Sequence, residues 1–268
     1  MDAMSAYLCP DVLAGDDLDP VSILNPASTR AVLLIADHAG NAVPAAMNGL
    51  GIGEEDLLRH IAWDPGAAMV ATELSRRWLA AAVLSRYSRL IVDPNRPLGD
   101  ASSMPHESDN TVVPANQDLM EEDRRRRAAL FYWPYHLAIS EQIARLRRIG
   151  PGPLLVSIHS FTPDFGGEDR PWHIGVMSTA DRRLADVLIS RLSKATNLVI
   201  GDNQPYSGVE YGYTLKVQAG SQGLASVQIE IRQDLLVDDG AVLGWVDVLD
   251  HSLSPFLDDP ALLELEFH

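Results

Sequence analysis

Two histidines, His38 and His159, each follow a short apolar run, and side chains at such strand exits can do chemistry. His38 closes the run that begins at Ala31, and His159 closes Leu154 to Ile158. Asp93, Asn95 and Arg96 follow Leu90 to Val92, and Glu230 lies near the end of Val227 to Ile231. Imidazole nitrogen and carboxylate oxygen are the donors of an open zinc site, in which three protein ligands leave a position for water or substrate. A single histidine after a strand serves as readily as a structural hydrogen-bonding residue. The shared position of the two carries the signal, since no compact motif such as His-Glu-x-x-His is present. Rival chemistries are thin. Gly40 and the pair Gly166-Gly167 fit neither a phosphate loop nor a dinucleotide fingerprint, and no Gly-x-Ser-x-Gly elbow occurs. One cysteine, Cys9, excludes an internal disulfide and a multi-cysteine metal site.

The elements that must position these residues alternate between strand and helix. Ala31 to Ala36 is an apolar run of the kind buried on both faces of a parallel sheet. Asp64 followed by Pro65 reads as the N-cap and first position of a helix carrying Val70, Leu74 and Trp78 on one face. Strands are expected at Ala82 to Leu84, Leu90 to Val92, Leu154 to Ile158, Trp172 to Met177 and Val227 to Ile231. Leu98 to Asn116 reads as a loop. A long helix is expected from Asp118 to Ile149, bent at Pro134 because proline removes a helical donor. Asp181 caps a helix bearing Leu184, Leu188 and Leu192, and a last helix starts near Ala241. This order predicts an α/β fold of one domain spanning residues 1–268, a mostly parallel sheet with helices on both faces. Ligands of such sheets gather beyond the carboxyl ends of the strands.

Composition narrows the partners. With 21 basic and 37 acidic residues among 268, the formal net charge is −16, which argues against nucleic acid or an anionic membrane. A small anionic substrate remains compatible, since it needs only one or two well-placed arginines. The acidic start, with Asp2 and Asp11, lacks a basic segment leading into an apolar run, and no stretch of about 18 apolar residues occurs. A cytoplasmic protein with no membrane span is expected. The run Arg124 to Arg127 follows Glu121, Glu122 and Asp123 and reads as a solvated, self-compensating helix face.

Six segments carry a resemblance. Asp37 to Asn41, Asp64-Pro65-Gly66, Ser88 to Pro97, Pro134-Tyr135-His136, Ile158 to Pro163 and Ile229 to Asp234 look like the N-formylglutamate amidohydrolase family, in the family's order. That family is similar in architecture to the zinc carboxypeptidases and aspartoacylases. The resemblance implies one zinc ion per chain, held by His38, His159 and a carboxylate. Where the carboxypeptidase pattern has a glutamate three residues after the first histidine, this chain has Asn41, a poor ligand. Asp64 is therefore the expected third ligand, with a plain helix cap as the other reading. Glu230 looks like the catalytic glutamate that takes a proton from water, or else a structural partner of Arg232. The implied reaction is zinc-dependent cleavage of an N-formyl or short N-acyl amino acid, such as N-formyl-L-glutamate. The alternatives are a carboxypeptidase-like hydrolase of a peptide or cell-wall fragment, and a non-catalytic binding protein on the same fold.

For a substrate carboxylate, arginine is the natural clamp, because its planar fork makes two parallel charge-assisted bonds. Arg96 is the first candidate and Arg89 the second, unless Arg89 is held by Asp93. Asn95 could bind the substrate or polarise its carbonyl. Arg170, Tyr135, His136 and Tyr206 are further polar groups near the motifs, as fit for solvent or core as for a pocket. His60, His106 and His251 have no metal-like partner at suitable spacing.

Overall fold

The run from Val32 to Ala36 forms a strand buried at every position, as does Ala81 to Ser85, because helices cover both faces. In the computed structural model, which describes residues 13, 17–195 and 197–268, these strands belong to one seven-stranded sheet. Asp2, Cys9 and Asp11 lie outside the described residues. The strands of the molecule are β1 (Val21–Leu24), β2 (Val32–Ala36), β3 (Ala81–Ser85), β4 (Glu107–Ser108), β5 (Thr111–Val112), β6 (Leu154–Phe161), β7 (Asp164–Phe165), β8 (Glu168–Asp169), β9 (Ile174–Met177), β10 (Ile200–Asp202) and β11 (Ser226–Arg232). The main sheet runs β1-β3-β2-β6-β11-β9-β10. Strands β3, β2, β6 and β11 are parallel, whereas β1 runs antiparallel to β3, and β9 antiparallel to β11. The sheet is mixed but mostly parallel, as the alternation of elements predicts.

Among the described residues the α-helices are α1 (Glu54–Leu57), α2 (Ala67–Trp78), α3 (Glu121–Arg127), α4 (Trp133–Arg147), α5 (Arg183–Ala195), α6 (Gly208–Tyr211), α7 (Tyr213–Gln218), α8 (Asp239–Leu253) and α9 (Pro260–Leu263). Alternate residues of β2 enter different cores. Val32, Leu34 and Ala36 join Val70 and Leu74 of α2, Leu188 of α5 and Val246 of α8 on one face. Leu33 and Ile35 join Ile139 and Ile143 of α4 and Leu215 of α7 on the other. Leu184, Leu188 and Leu192 are fully buried, as their spacing predicts. A third apolar cluster lies under the long connections, around Leu90, Ile91, Phe131 and Tyr132.

Several expectations are corrected. Helix α2 begins at Ala67 behind Gly66, whose φ is 83°, so Asp64 is not its N-cap. A side chain on Gly66 would strain that φ and meet the Leu236 side chain at 2.7 Å. Leu90 to Val92 forms a buried turn, with the Ile91 amide donating to the Ser88 carbonyl at 3.0 Å. A three-residue apolar run cannot by its pattern be told from a strand. Edge strand β1 lacks such a run and is only partly buried, so its alternation is faint. Residues 98–116 contain the hairpin β4–β5. The expected long helix is instead α3, a π-helical turn at Ala128–Tyr132 and α4, with Pro134 in the first turn of α4. Arg127 is not solvated: it is buried and donates to Asn116 Oδ1, the Ile91 carbonyl and the Ala115 carbonyl. Two others of that run do pair along the helix, Arg125 with Glu121 and Arg126 with Glu122. His251 lies in the last turn of α8.

Candidate metal centre

The centre grows from polar side chains at alternate positions of two buried neighbouring strands. In β6, Ser157 and His159 project to the same face, and in β11 so do Gln228 and Glu230. The strands are parallel, with Glu230 directly opposite His159. Gly175 of β9 faces Glu230, and a side chain there would strike the Gln204 carbonyl at 2.2 Å. His38 arrives from the turn after β2, and its carbonyl accepts the Asp64 amide at 2.9 Å. That backbone bond brings the long insertion before α2 back to the sheet edge.

Asp64 Oδ2 is the focus. The Nδ1 atom of His159 lies 2.8 Å from it and the Nδ1 atom of His38 3.4 Å. The imidazoles meet edge to face at 5.0 Å. Their outward Nε2 atoms are each held by a different buried carboxylate: Asp93 Oδ1 at 2.8 Å from His38, and Asp37 Oδ2 at 2.9 Å from His159. One potential ligand atom from each of His38, Asp64 and His159 falls within 4.8 Å of the others. Inward nitrogens converging on one point, with outward nitrogens fixed by carboxylates, is how histidines are oriented around a metal.

The supporting shell is itself satisfied. Thr214 Oγ1 donates to Asp37 Oδ1 at 2.6 Å. Arg89 grips Asp93 Oδ2 through Nε at 3.0 Å and Nη2 at 2.6 Å, and its Nη1 lies 3.7 Å from Asp64 Oδ1. Burial by itself would raise the three aspartate pKa values. His159 and His38 outweigh it at Asp37 and Asp64, and Arg89 with His38 at Asp93, so all three are held below the usual carboxylate range. Burial pulls His159 down, but its bonds to Asp37 and Asp64 dominate and push it well above 6.5. Glu230 goes the other way: burial raises it, against the pull of His159.

Charge balance tests whether a metal fits. Asp37, Asp64, Asp93 and Glu230 are all nearly inaccessible. With neutral imidazoles they face Arg89 in direct contact and Arg96 farther from Asp93, and uncompensated buried charge is expensive. Asp64 Oδ1 is buried without a hydrogen-bond partner among the described residues. A divalent cation matches the nitrogen and oxygen donors and offsets that surplus. The residues fit the ion.

The remaining candidates divide. Glu230 does not pair with Arg232, which binds Asp234; instead Glu230 Oε1 accepts from Gln228 Nε2 at 2.7 Å. Arg89 is committed to Asp93. Asn95 lines the cleft, but its Oδ1 accepts the Thr214 amide at 2.9 Å, so part of it is structural. Arg96 lines the cleft with no carboxylate partner among the described residues, and its guanidinium lies 5.4 Å from the Tyr211 ring centre. Asn41 donates to the Leu57 carbonyl and does not line the cleft. Tyr135 is fully buried in the core and His136 bonds the Pro94 carbonyl, whereas Tyr206 does line the cleft. Arg170 is not a solvated loop arginine: it donates to the Tyr206 hydroxyl at 2.8 Å.

Sequence reasoning missed the orienting roles of Asp37 and Asp93, the Gln228 contact, and His60, whose Nδ1 lies 3.4 Å from Asp64 Oδ1. Burial pulls His60 down to about 4. A signal existed for Gln228, a polar residue two positions before Glu230 that alternates with the apolar Val227, Ile229 and Ile231. For His60 there was none, since a loop residue four before Asp64 shows its direction only after folding.

A profile of the N-formylglutamate amidohydrolase family matches residues 30–237. A gene product of Agrobacterium tumefaciens of known structure is 36% identical, with a TM-score of 0.88 over 92% of this chain and 97% of that one. The N-formylglutamate amidohydrolase from Ralstonia eutropha JMP134 shares the fold at 17% identity, with a TM-score of 0.70 over 89% of this chain and 97% of its own. A search of curated proteins finds no match. The family match covers most of the chain and contains every residue of the centre; the chain belongs to the N-formylglutamate amidohydrolase family.

Proposed function

We propose that the protein is a zinc-dependent amidohydrolase that cleaves an N-formyl or other short N-acyl amino acid. The supporting observation is the convergence of His38 and His159 on Asp64 beside the raised carboxyl of Glu230. In this reading His38, Asp64 and His159 hold the ion, while Asp37 and Asp93 fix the imidazoles. Zinc in such a site supplies Lewis acidity, which polarises a carbonyl and makes water acidic near neutral pH.

The chain's own groups supply positioning and proton transfer. Gln228 anchors Oε1 of Glu230, leaving Oε2 as the proton acceptor. A carboxyl raised by burial is better matched to proton transfer near neutral pH than a solvated one. Water adds its oxygen to the acyl carbon and gives one proton to Glu230. The carbon–nitrogen bond breaks, and that proton passes to the departing amine. The products are the free amino acid and the short carboxylate, formate for a formyl substrate. Arg96 binds the substrate carboxylate, and Asn95 holds the turn that presents it.

Formate release from a panel of N-formyl-L-amino acids, N-formyl-L-glutamate among them, tests the reading. Activity should vanish with chelator and return with about one zinc per chain. Turnover that survives complete metal removal would overturn the metal assignment, and no release from any member would overturn the reaction.

A further inference from the structure

The cleft above the centre holds about 730 Å³. N-formylglutamate has a dozen non-hydrogen atoms, and even at liquid water's allowance of about 30 Å³ per heavy atom it needs only about 360 Å³. It is also a dianion, so it asks for two cationic partners. Three guanidinium groups line the cleft. Arg89 is engaged by Asp93, and Arg59 by Asp56 and Asp109 as well as the Thr111 hydroxyl. Among the described lining guanidiniums only Arg96 has no carboxylate partner; its Nη1 donates to the Asn95 carbonyl at 2.9 Å. Against those three stand six lining carboxylates, including Glu107, Asp109 and Asp164 at the mouth. With a divalent ion added the lining charges come close to balance, and no second lining guanidinium without a carboxylate partner stands ready to clamp a second substrate carboxylate.

One wall is built for something else. Arg96 stacks on Tyr211, which meets Tyr206 edge to face at 5.7 Å. Arg170 stacks on Tyr206 at 4.8 Å and on Phe165 at 4.9 Å. Phe165 sits on the β7–β8 hairpin, whose Gly166-Gly167 turn has φ values of 63° and 83°. The Arg170 stack ties that hairpin to Tyr206. Three large apolar side chains around this cleft are left open: Leu58 is 64% exposed, Phe165 54% and Tyr211 42%. Exposed apolar groups gathered around one concavity mark a binding surface.

We propose that the substrate is an N-acyl amino acid with one carboxylate and a large apolar, preferentially aromatic, side chain. The carboxylate binds Arg96, and the side chain packs against Phe165, Tyr206 and Tyr211. This rests on the amidohydrolase reading of the same site and narrows it away from glutamate.

Two measurements separate the narrower claim from that reading. In the zinc-loaded enzyme, kcat/KM for N-formyl-L-phenylalanine should exceed that for N-formyl-L-glutamate by about 10-fold or more, as expected for burying one aromatic side chain. Calorimetric titration of the Glu230→Gln protein with the same compounds reads the preference without turnover. Phe165→Ala, a change on an exposed hairpin, should weaken the phenylalanine compound about 10-fold and the glutamate compound by much less, whereas Arg96→Ala should weaken both. Tighter binding of the phenylalanine compound without any hydrolysis would keep the subsite and sink the reaction. Equal or better binding and turnover of the glutamate compound would sink the subsite and keep the reaction. If neither compound binds, both fail.

Discussion

At the scale of single residues, burial and charge separate Glu230 from the three aspartates of the centre. Glu230 is the one buried carboxylate of the four whose pKa is raised, and burial is the main cause. Replacing it with glutamine keeps the Gln228 neighbour and the volume but removes the carboxylate proposed to accept the proton. Glu230→Gln should therefore retain about one zinc per chain and lose about 100-fold or more in kcat. Near-wild-type turnover in that variant would remove Glu230 from the chemistry. Asp93 makes a different kind of contribution, since it touches His38 from behind and is itself gripped by Arg89. Carboxylates in that position raise ligand basicity and fix ring orientation, and losing one costs about 10- to 100-fold in metal affinity. Competition with a chromophoric chelator should detect that loss in Asp93→Asn. An unchanged zinc affinity would show that the contact does not orient the ligand.

At the scale of elements, α4 joins the core to the turn that carries Arg96. His136, in the first turn of α4, donates from Nε2 to the Pro94 carbonyl at 2.9 Å, and its Nδ1 accepts from Gln218 Nε2 of α7 at 3.2 Å. Both bonds together require the neutral ring. Burial holds this histidine below its ordinary value of 6.5. The unfolded chain then binds a proton that the folded chain refuses, and stability is lost as pH falls through 6.5 toward the folded value. Above 6.5 that contribution is fully present. Denaturant midpoints should drop between pH 7.5 and 5.5 by more in the wild type than in His136→Gln. An identical drop in the two proteins would show that His136 does not carry this pH dependence. The extra backbone of the π-helical turn before α4 explains why the chain direction there could not be read from apolar spacing alone.

For the whole molecule, the acidic balance and the buried carboxylates act together. Zinc that binds only the folded state should stabilise the metal-free protein by about 4 kcal/mol at roughly 1,000 times its dissociation constant. A rise in Tm of several degrees on adding excess zinc, absent in a His38→Ala, His159→Ala double variant, is the expected calorimetric result. A Tm indifferent to zinc in the wild type would mean the buried cluster is neutralised by protons alone. Among the described residues no helix is long and apolar enough to cross a membrane. The sequence by itself determined the alternating strands and helices, the apolar faces of α2 and α5, and the His38 and His159 positions, because each depends on local periodicity or on residue type at an element's end. Six separated motifs were enough to select the family. Only the tertiary structure decided that Asp64 faces the two histidines rather than capping a helix, and that Asp37 and Asp93 back them. It alone put Gln228 on Glu230, buried Arg127, and left Arg96 the one guanidinium without a carboxylate partner among the cleft's described lining residues. Those facts depend on where distant backbones cross and on which carboxylate reaches which cation first, and chain spacing holds no record of either.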